Sequence, residues 1–138
     1  MKKALLLVIA ALALPSVALA AKPATAGGKG APKVTYVLKG KLSAYTAYNA
    51  STSTNGSITI TVSSANYHGK ALKGQTLTFA VDAKTAVVLN NGAAIADNDN
   101  GIVKIRAAKK IASAALATTL QASSAKQIVD MGVKKPKH

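Results

Sequence analysis

Apolar side chains occupy every second position in several successive short segments of this 138-residue chain. A period of two is typical of β-strands that bury one face, because neighbouring side chains of a strand point to opposite sides. The segments are VTYVLKGKLSA (34–44), SITITVSS (57–64), TLTFAVD (76–82) and IVKIRA (102–107). Aromatic residues make up 4% of the chain, so its core must be built mostly from Val, Ile, Leu and Ala. The pattern predicts a mainly β fold, a small closed barrel of five or six strands.

The remaining segments complete this prediction. Gly40 interrupts the inward side of the first strand, which is typical of a bulge or sharp bend. Residues 45–56 are rich in Ser, Thr and Asn and predict a long loop or a loosely paired hairpin, and the apolar run Ala86–Leu89 precedes the turn signal NNG. Apolar residues then recur at three-to-four spacing, which predicts one short helix over residues 112–120 near the C-terminus. The segment ASSAKQIVDMG predicts a closing strand of undefined register.

The first 20 residues have the three parts of a secretory signal peptide. Lys2 and Lys3 precede an apolar run, and Ala18-Leu19-Ala20 predicts cleavage near Ala20. The run is too short for a transmembrane helix of about 20 residues, and no second apolar stretch of that length follows. With no cysteine for lipid attachment or disulfides, we expect a secreted, extracellular or periplasmic protein stabilised by its core. The predicted parts are the signal peptide (1–20), a flexible basic linker (21–32), the barrel domain (33–132) and a basic tail (133–138).

Five segments together resemble a family of small exported bacterial domains with an OB-like barrel and no assigned function. They are VLKGKLSA with its glycine kink, GSITITVSS, TLTFAVDAKTAV, DNGIVKIRA entered from a glycine turn, and SSAKQIVD as the closing strand. The resemblance covers about Val34 to Gly132 and implies an OB-like fold, but it supplies no functional residues. The chain departs from the usual OB topology in one respect, because its helix precedes the final strand instead of lying between the third and fourth strands.

A strong positive charge restricts the choice of partners. The chain carries 18 basic and 4 acidic residues, a formal net charge of +14. Arg106 is its single arginine, and lysine suits diffuse attraction to anions better than the reading of defined groups. A polyanion is therefore the expected partner, and nucleic acid is among the candidates without sequence-specific recognition.

Basic and aromatic residues fall on the predicted loops and outward strand positions. The candidate ligand-binding residues are Lys39, Lys41, Tyr45, Tyr48, Tyr67, Lys70, Lys73, Lys104 and Arg106. OB barrels bind oligonucleotides and oligosaccharides through such a surface, with aromatic rings for stacking. The alternative is that the tyrosines pack over the barrel ends and the lysines keep the sheet edges soluble.

Catalytic and metal sites have weaker support. Asp97 and Asp99 in DNDNG offer oxygen ligands, but the EF-hand spacing and its glutamate are missing, so a structural turn is favoured over a weak cation site. His68 has no partner histidine or cysteine and is interpreted as an exposed loop residue. Outward threonines could form a hydroxyl array for ice or glycan, but strands favour threonine in any case; they are Thr59, Thr61, Thr76 and Thr78.

The leading hypothesis is a secreted, non-enzymatic module that binds a wall polymer, an acidic glycan or nucleic acid through a lysine-rich surface. No catalytic residue and no cofactor are expected. The alternative is a structural or assembly module of the cell envelope that docks to another exported protein through a sheet edge.

Overall fold

A computed structural model describes residues 33–90 and 94–133 of the chain. The predicted signal peptide and basic linker lie outside these described residues, and so does the predicted basic tail apart from Val133. Residues 91–93, which include most of the NNG turn signal, lie outside them as well.

Six strands and one short α-helix account for most of the described chain. The strands are β1 (Val34–Thr46), β2 (Gly56–Ala65), β3 (Thr76–Val81), β4 (Ala86–Leu89), β5 (Asn100–Ala107) and β6 (Gln127–Gly132). A 3₁₀ helix covers Tyr67–Leu72, and a 3₁₀ turn at Ser113–Ala115 leads into α1 (Leu116–Gln121). The mainly β fold with one short helix near the C-terminus is therefore confirmed, and no described helix is long and apolar enough to span a membrane.

All six strands belong to one sheet, in the order β3-β2-β1-β5-β6-β4. β4 and β6 are parallel, and the other neighbouring strands are antiparallel. β1 is the longest strand, and it pairs with β2 along one side and with β5 along the other. The sheet is thus organised around β1.

The two end strands of the sheet, β3 and β4, are not hydrogen-bonded to each other in the described chain. Ser124 forms an isolated parallel bridge with Ala80 of β3, and the Ala125 N–H donates to the Ala80 carbonyl at 2.9 Å. The Gln121 side chain accepts a hydrogen bond from the Thr78 N–H at 3.1 Å. These bonds cover part of β3, but closure of the sheet into a barrel stays a prediction.

Gly40 lies at a bulge, as its place in the first strand predicted. The pairing of β1 with β2 shifts register between Lys39 and Gly40. A side chain at Gly40 would overlap the Thr61 carbonyl oxygen, so the two backbones approach closely here. A second irregularity lies between Ser43 and Thr46, where Ala44 has a φ of 48°. Beyond it, the bridge between Asn49 and Thr54 forms a loosely paired hairpin.

The core consists of the predicted alternating side chains. Fully or almost fully buried residues include Tyr36, Leu38, Leu42, Ile58, Ile60, Val62, Leu77, Phe79, Val81, Val103 and Ile105. Each large aliphatic side chain buried in this way contributes about 1.5 to 3 kcal/mol. Three expected inward residues differ. Ala44 is exposed because of its left-handed backbone, and Val34 and Ala107 are half-buried because they lie opposite each other at the end of the β1–β5 ladder.

The C-terminal elements complete the core. α1 begins at Leu116, after the 3₁₀ turn, and buries Leu116 and Leu120, whereas Thr119 on the predicted apolar face is exposed. In β6, Ile128 and Asp130 point inward, and Asp130 is 1% exposed. The Asp130 carboxylate accepts a hydrogen bond from the Gly132 N–H at 2.9 Å, so this buried charge has a backbone partner.

Candidate anion-binding groove

Two cations of β5 point away from the core because their neighbours in the strand, Val103 and Ile105, point into it. Arg106 lies opposite Thr35 of β1. Lys104 lies between Val37 of β1 and Gln127 of β6. The predicted pair therefore lies on the outer face of the sheet, with a strand on each side of it.

Lys126 joins these two cations from the start of β6. Its N–H donates to the Lys104 carbonyl at 2.8 Å, which fixes its backbone beside β5. Together the three cations line a cleft of about 380 Å³, whose remaining described lining is Thr35, Ala86 and Gln127. A small adjoining cleft continues past Arg106 and Lys126 to Lys84 and Asp82.

Two further clefts extend this one: the first shares Thr35 with it, and the second adjoins the first. The first, of about 720 Å³, is lined by Lys33, Lys109 and Lys110 with His68. The second, of about 360 Å³, shares His68 and Lys110 and adds Tyr67, Lys70 and Ser113. We call the clefts of about 380, 720 and 360 Å³ together the basic groove. Its cations are Lys33, Lys70, Lys104, Arg106, Lys109, Lys110 and Lys126.

The charge of the basic groove has one sign. None of the described residues that line its three clefts is acidic. Charges separated by less than the Debye length, about 8 Å at physiological ionic strength, reinforce one another at the surface. Within this set, Arg106 alone presents the planar fork that suits bidentate contact with a phosphate or carboxylate.

Asp82 stands just beyond the groove, in the turn between β3 and β4. Its carboxylate accepts a hydrogen bond from the Lys84 N–H at 2.8 Å. That bond, followed by one from the Ser124 hydroxyl, lowers the pKa of Asp82 below its ordinary value. The carboxylate is therefore ionised at neutral pH. It places a negative charge next to the Arg106 end of the basic groove, so the surface lined only by cations ends there.

A cluster of three rings lies at the other end of the groove. The ring of His68 is 5.6 Å from that of Tyr67 and 6.2 Å from that of Tyr36, in edge-to-face geometry at both contacts. Tyr36 is buried, and its hydroxyl accepts a hydrogen bond from the Ile111 N–H at 3.0 Å. His68 is exposed, as predicted, but its ring is held against these aromatic neighbours.

The predicted ligand-binding residues divide into two sets. Tyr67, Lys70, Lys104 and Arg106 line the basic groove. Lys39 lies beside the bulge in a separate cleft, and the Lys41 ammonium donates to the Asn98 carbonyl at 2.9 Å. Lys73 follows the 3₁₀ helix, and the remaining two predicted residues, Tyr45 and Tyr48, pack against the core. The structure therefore does not bring these five to the groove.

Four groove cations were missing from the predicted set: Lys33, Lys109, Lys110 and Lys126. Three of them lie within three residues of a terminus of β1 or β5, and Lys126 directly precedes β6. A search of the predicted strand ends would have found them as single charges. Their convergence depends on the pairing of β5 with β1 and β6, which the alternation of side chains does not specify.

The turn at Asp97 and Asp99 docks onto β1. The Asp97 carboxylate accepts a hydrogen bond from the Ala44 N–H at 2.8 Å, and the Asp99 carboxylate accepts one from the Ala96 N–H at 2.9 Å. Between them, Asn98 has a φ of 71°, a left-handed conformation that Asn tolerates. In the described ranges no three His, Asp or Glu side chains converge on a point where a metal ion could bind.

The outward threonines of β2 and β3 form pairs across the two strands. The hydroxyls of Thr59 and Thr78 are 2.9 Å apart, and those of Thr61 and Thr76 are 3.1 Å apart. Each hydroxyl therefore has a neighbouring hydroxyl as its partner. Such cross-strand pairs are a common source of sheet stability.

Comparison with known proteins gives no match: no family model, no curated protein and no solved structure is significantly similar to this chain. The fold and the basic groove together define a small mainly β protein with a positively charged outer face. Its function is therefore inferred from the chemistry of the groove.

Proposed function

We propose that this protein is an exported, non-enzymatic binding module that holds an anionic polymer in its basic groove. The polymer classes that fit are a phosphate-bearing wall polymer, an acidic glycan and a nucleic acid. One observation carries the proposal: seven cations line three adjoining clefts, whose described lining contains no carboxylate. A polyanion releases counterions when it meets such a surface, which makes its binding favourable and dependent on salt.

The composition of the groove also supports a binding role over a catalytic one. A hydrolase needs a nucleophile, a base within hydrogen-bond reach and usually an orienting carboxylate. Among the described residues, the groove offers Ser113 and His68 but no acid to orient the imidazole. The carboxylates of Asp97 and Asp99 accept hydrogen bonds from backbone N–H groups in a turn near the Ala44 end of β1. The basic groove lies near the opposite end of β1, at Val34.

Export and the barrel are further parts of the proposal. Export is supported by the signal-like first 20 residues. An OB-like closed barrel is supported by the parallel bridge between Ala80 and Ser124, which links β3 to the segment that enters β6. Deuterium exchange of the Ala125 N–H tests this closure, because a stable contact protects that proton as strongly as the core strands are protected.

The groove is tested with two variants that lose the same charge at different places. Lys104, Arg106 and Lys126 are changed to Gln in the groove variant, and Lys39, Lys41 and Lys73 are changed to Gln in the control variant. We expect the groove variant to elute from immobilised heparin at clearly lower salt than the control variant, since its cations converge. Equal elution of the two variants would mean that net charge alone drives retention and would overturn the proposal.

Assembly through a sheet edge is a second candidate function, and β4 favours it. β4 reads AVVL, ends the sheet, and leaves Val87, Val88 and Leu89 37–38% exposed. Edge strands are usually protected by charges, bulges or covering segments, and β4 contains no charge, whereas Gln121 and Ala125 cover part of β3. A second copy of this chain offers a matching strand for antiparallel β4–β4 pairing.

Light scattering over a range of protein and salt concentrations tests the assembly function. An edge-paired dimer should persist at high salt and dissociate in Val88→Lys, which places a charge on β4. Thr61→Lys, a charge at an exposed position of β2, is the matched control and should leave the dimer intact. A monomer at every concentration would exclude pairing between copies.

A further inference from the structure

Tyr67 is unusually exposed for a large ring in a well-anchored position. It is 81% exposed, more than any of the other exposed large apolar side chains. A single exposed apolar side chain is common on protein surfaces. Tyr67, however, begins the 3₁₀ helix Tyr67–Leu72, which is anchored by the buried residues Gly69 and Leu72. The ring therefore projects from a fixed base at one end of the basic groove.

Asn66 is the residue that fixes this base. Its N–H donates to the Val37 carbonyl at 3.0 Å, and its side-chain amide donates to the Thr35 carbonyl at 2.8 Å. Its side-chain oxygen accepts hydrogen bonds from the N–H groups of Val37 at 3.3 Å and Gly69 at 3.2 Å. Asn66 thus ties the start of the 3₁₀ helix to β1, the central strand of the sheet.

Two cations share a cleft with the Tyr67 ring. A 3₁₀ helix has three residues per turn, so side chains three apart stand one above the other. Lys70 therefore lies on the same face as Tyr67, and both line the cleft of about 360 Å³ together with Lys110 from the segment after β5. His68 supports the Tyr67 ring with an edge-to-face contact. The arrangement is an exposed aromatic ring that shares one cleft with two cations.

We infer that Tyr67 is a stacking platform for one unpaired nucleobase, and that the polymer held in the basic groove is a single-stranded nucleic acid. This inference rests on the proposed function of the groove. A base stacks on the ring, and phosphates on either side of that base contact Lys70 and Lys110. Proteins that bind single strands without sequence preference combine such a ring with a positive groove.

The donor chemistry of the groove favours a nucleic acid over an acidic glycan. Sugar hydroxyls donate as well as accept, so a site that recognises them gains from carboxylate or amide acceptors. Among the described residues of the basic groove, the side-chain amide of Gln127 is the one such acceptor, and the ionic groups are all donors. A phosphodiester backbone presents acceptors alone at its phosphates and therefore matches this lining.

The test measures binding of the purified protein to three labelled probes of equal length or charge. They are oligo(dT), an abasic phosphodiester chain with the same number of phosphates, and a heparin oligosaccharide. The variants are Tyr67→Ala, Tyr67→Leu and Tyr67→Phe, together with the groove variant Lys104→Gln/Arg106→Gln/Lys126→Gln. Circular dichroism of each variant verifies that it is folded.

We expect Tyr67→Ala and Tyr67→Leu to bind oligo(dT) about five- to twentyfold more weakly, the lower part of the range for loss of one stacked base, and Tyr67→Phe to retain the affinity. None of the three should change binding to the abasic chain or to heparin, whereas the groove variant should weaken binding to all three probes. If Tyr67→Ala binds oligo(dT) as the unchanged protein does, or loses heparin affinity equally, the stacking inference fails and the groove stands. If the groove variant binds every probe normally, the proposed function itself fails.

Discussion

Gly40 lies where even the single carbon of an alanine side chain has no room. An added Cβ would overlap the Thr61 carbonyl oxygen and lie 3.1 Å from the Ser63 nitrogen, so the backbone of β2 would have to move. We expect Gly40→Ala to lower the free energy of unfolding by about 2 to 4 kcal/mol, measured by urea denaturation.

Gly74 provides the comparison for this prediction. A Cβ there has no atom within 4 Å, but its φ of 85° is strained for alanine. Gly74→Ala should therefore cost about 1 kcal/mol, the strain of one left-handed residue. Equal losses for the two variants would show that close approach at the bulge is not what requires Gly40.

The Asp82 carboxyl group makes the stability of the fold depend on pH. Hydrogen bonds from the Lys84 N–H, first, and the Ser124 hydroxyl lower its pKa in the folded state from the ordinary value of 3.8. A carboxyl with a lowered folded-state pKa stabilises the fold above its unfolded pKa, and that contribution is lost as the pH falls through the folded value. Asp82→Asn should therefore melt below the unchanged protein at pH 7 and approach it in melting temperature below about pH 4. A difference that stays constant from neutral to acid pH would contradict this assignment.

At the scale of elements, the positions of most strands were predictable from the sequence, but the pairing of the strands in the sheet was not. The alternation in β1, β2, β3 and β5 follows directly from one buried face, so these strands appear where the pattern places them. The register of β6 could not be predicted because its inward side contains Asp130. An aspartate in a strand normally predicts an outward position, and the hydrogen bond from the Gly132 N–H that accompanies its burial is known only from the structure.

The candidate site shows the same division. Lys104 and Arg106 were predictable as outward cations of a strand, and Tyr67 was predictable as a ring in a loop. Lys126 lies near them because β6 pairs with β5, and Lys33 lies near them because β1 pairs with β5. The sequence pattern of a single strand therefore could not predict the groove. Partner choice in a sheet is set by long-range packing, which single-strand periodicity does not record.

α1 is too short to be stable alone, so its stability must come from packing. Leu120 is fully buried, and Leu120→Ala should lower the free energy of unfolding by about 2 to 5 kcal/mol through lost contacts and a cavity. The exposed neighbour Thr119 provides the control, and Thr119→Ala should change it by less than about 0.5 kcal/mol. Chemical denaturation measures both, and a small effect at Leu120 would mean that α1 is not part of the cooperative core.

At the scale of the whole molecule, the salt dependence of binding measures how many phosphates of the proposed nucleic-acid ligand are contacted. For single strands, log K falls with log salt with a slope of about −0.7 for each phosphate neutralised. Removing Lys104, Arg106 and Lys126 should therefore make the slope for oligo(dT) less steep by about 2 units, as measured by anisotropy titrations over a salt series. The control variant at Lys39, Lys41 and Lys73 should keep the original slope, and an equal reduction in both variants would locate binding outside the basic groove.

The place of β6 between β5 and β4 also bears on how this polypeptide matures. β4 precedes β5 in the chain, yet its hydrogen-bonding neighbour β6 is the last of the described strands to be synthesised. A nascent chain interrupted before Gln127 leaves β4 without a neighbour and one side of β5 open, which exposes it to proteases. The sheet is thereby completed only after β6 has been synthesised, a delay compatible with the export proposed above, in which a chain crosses the membrane before it folds.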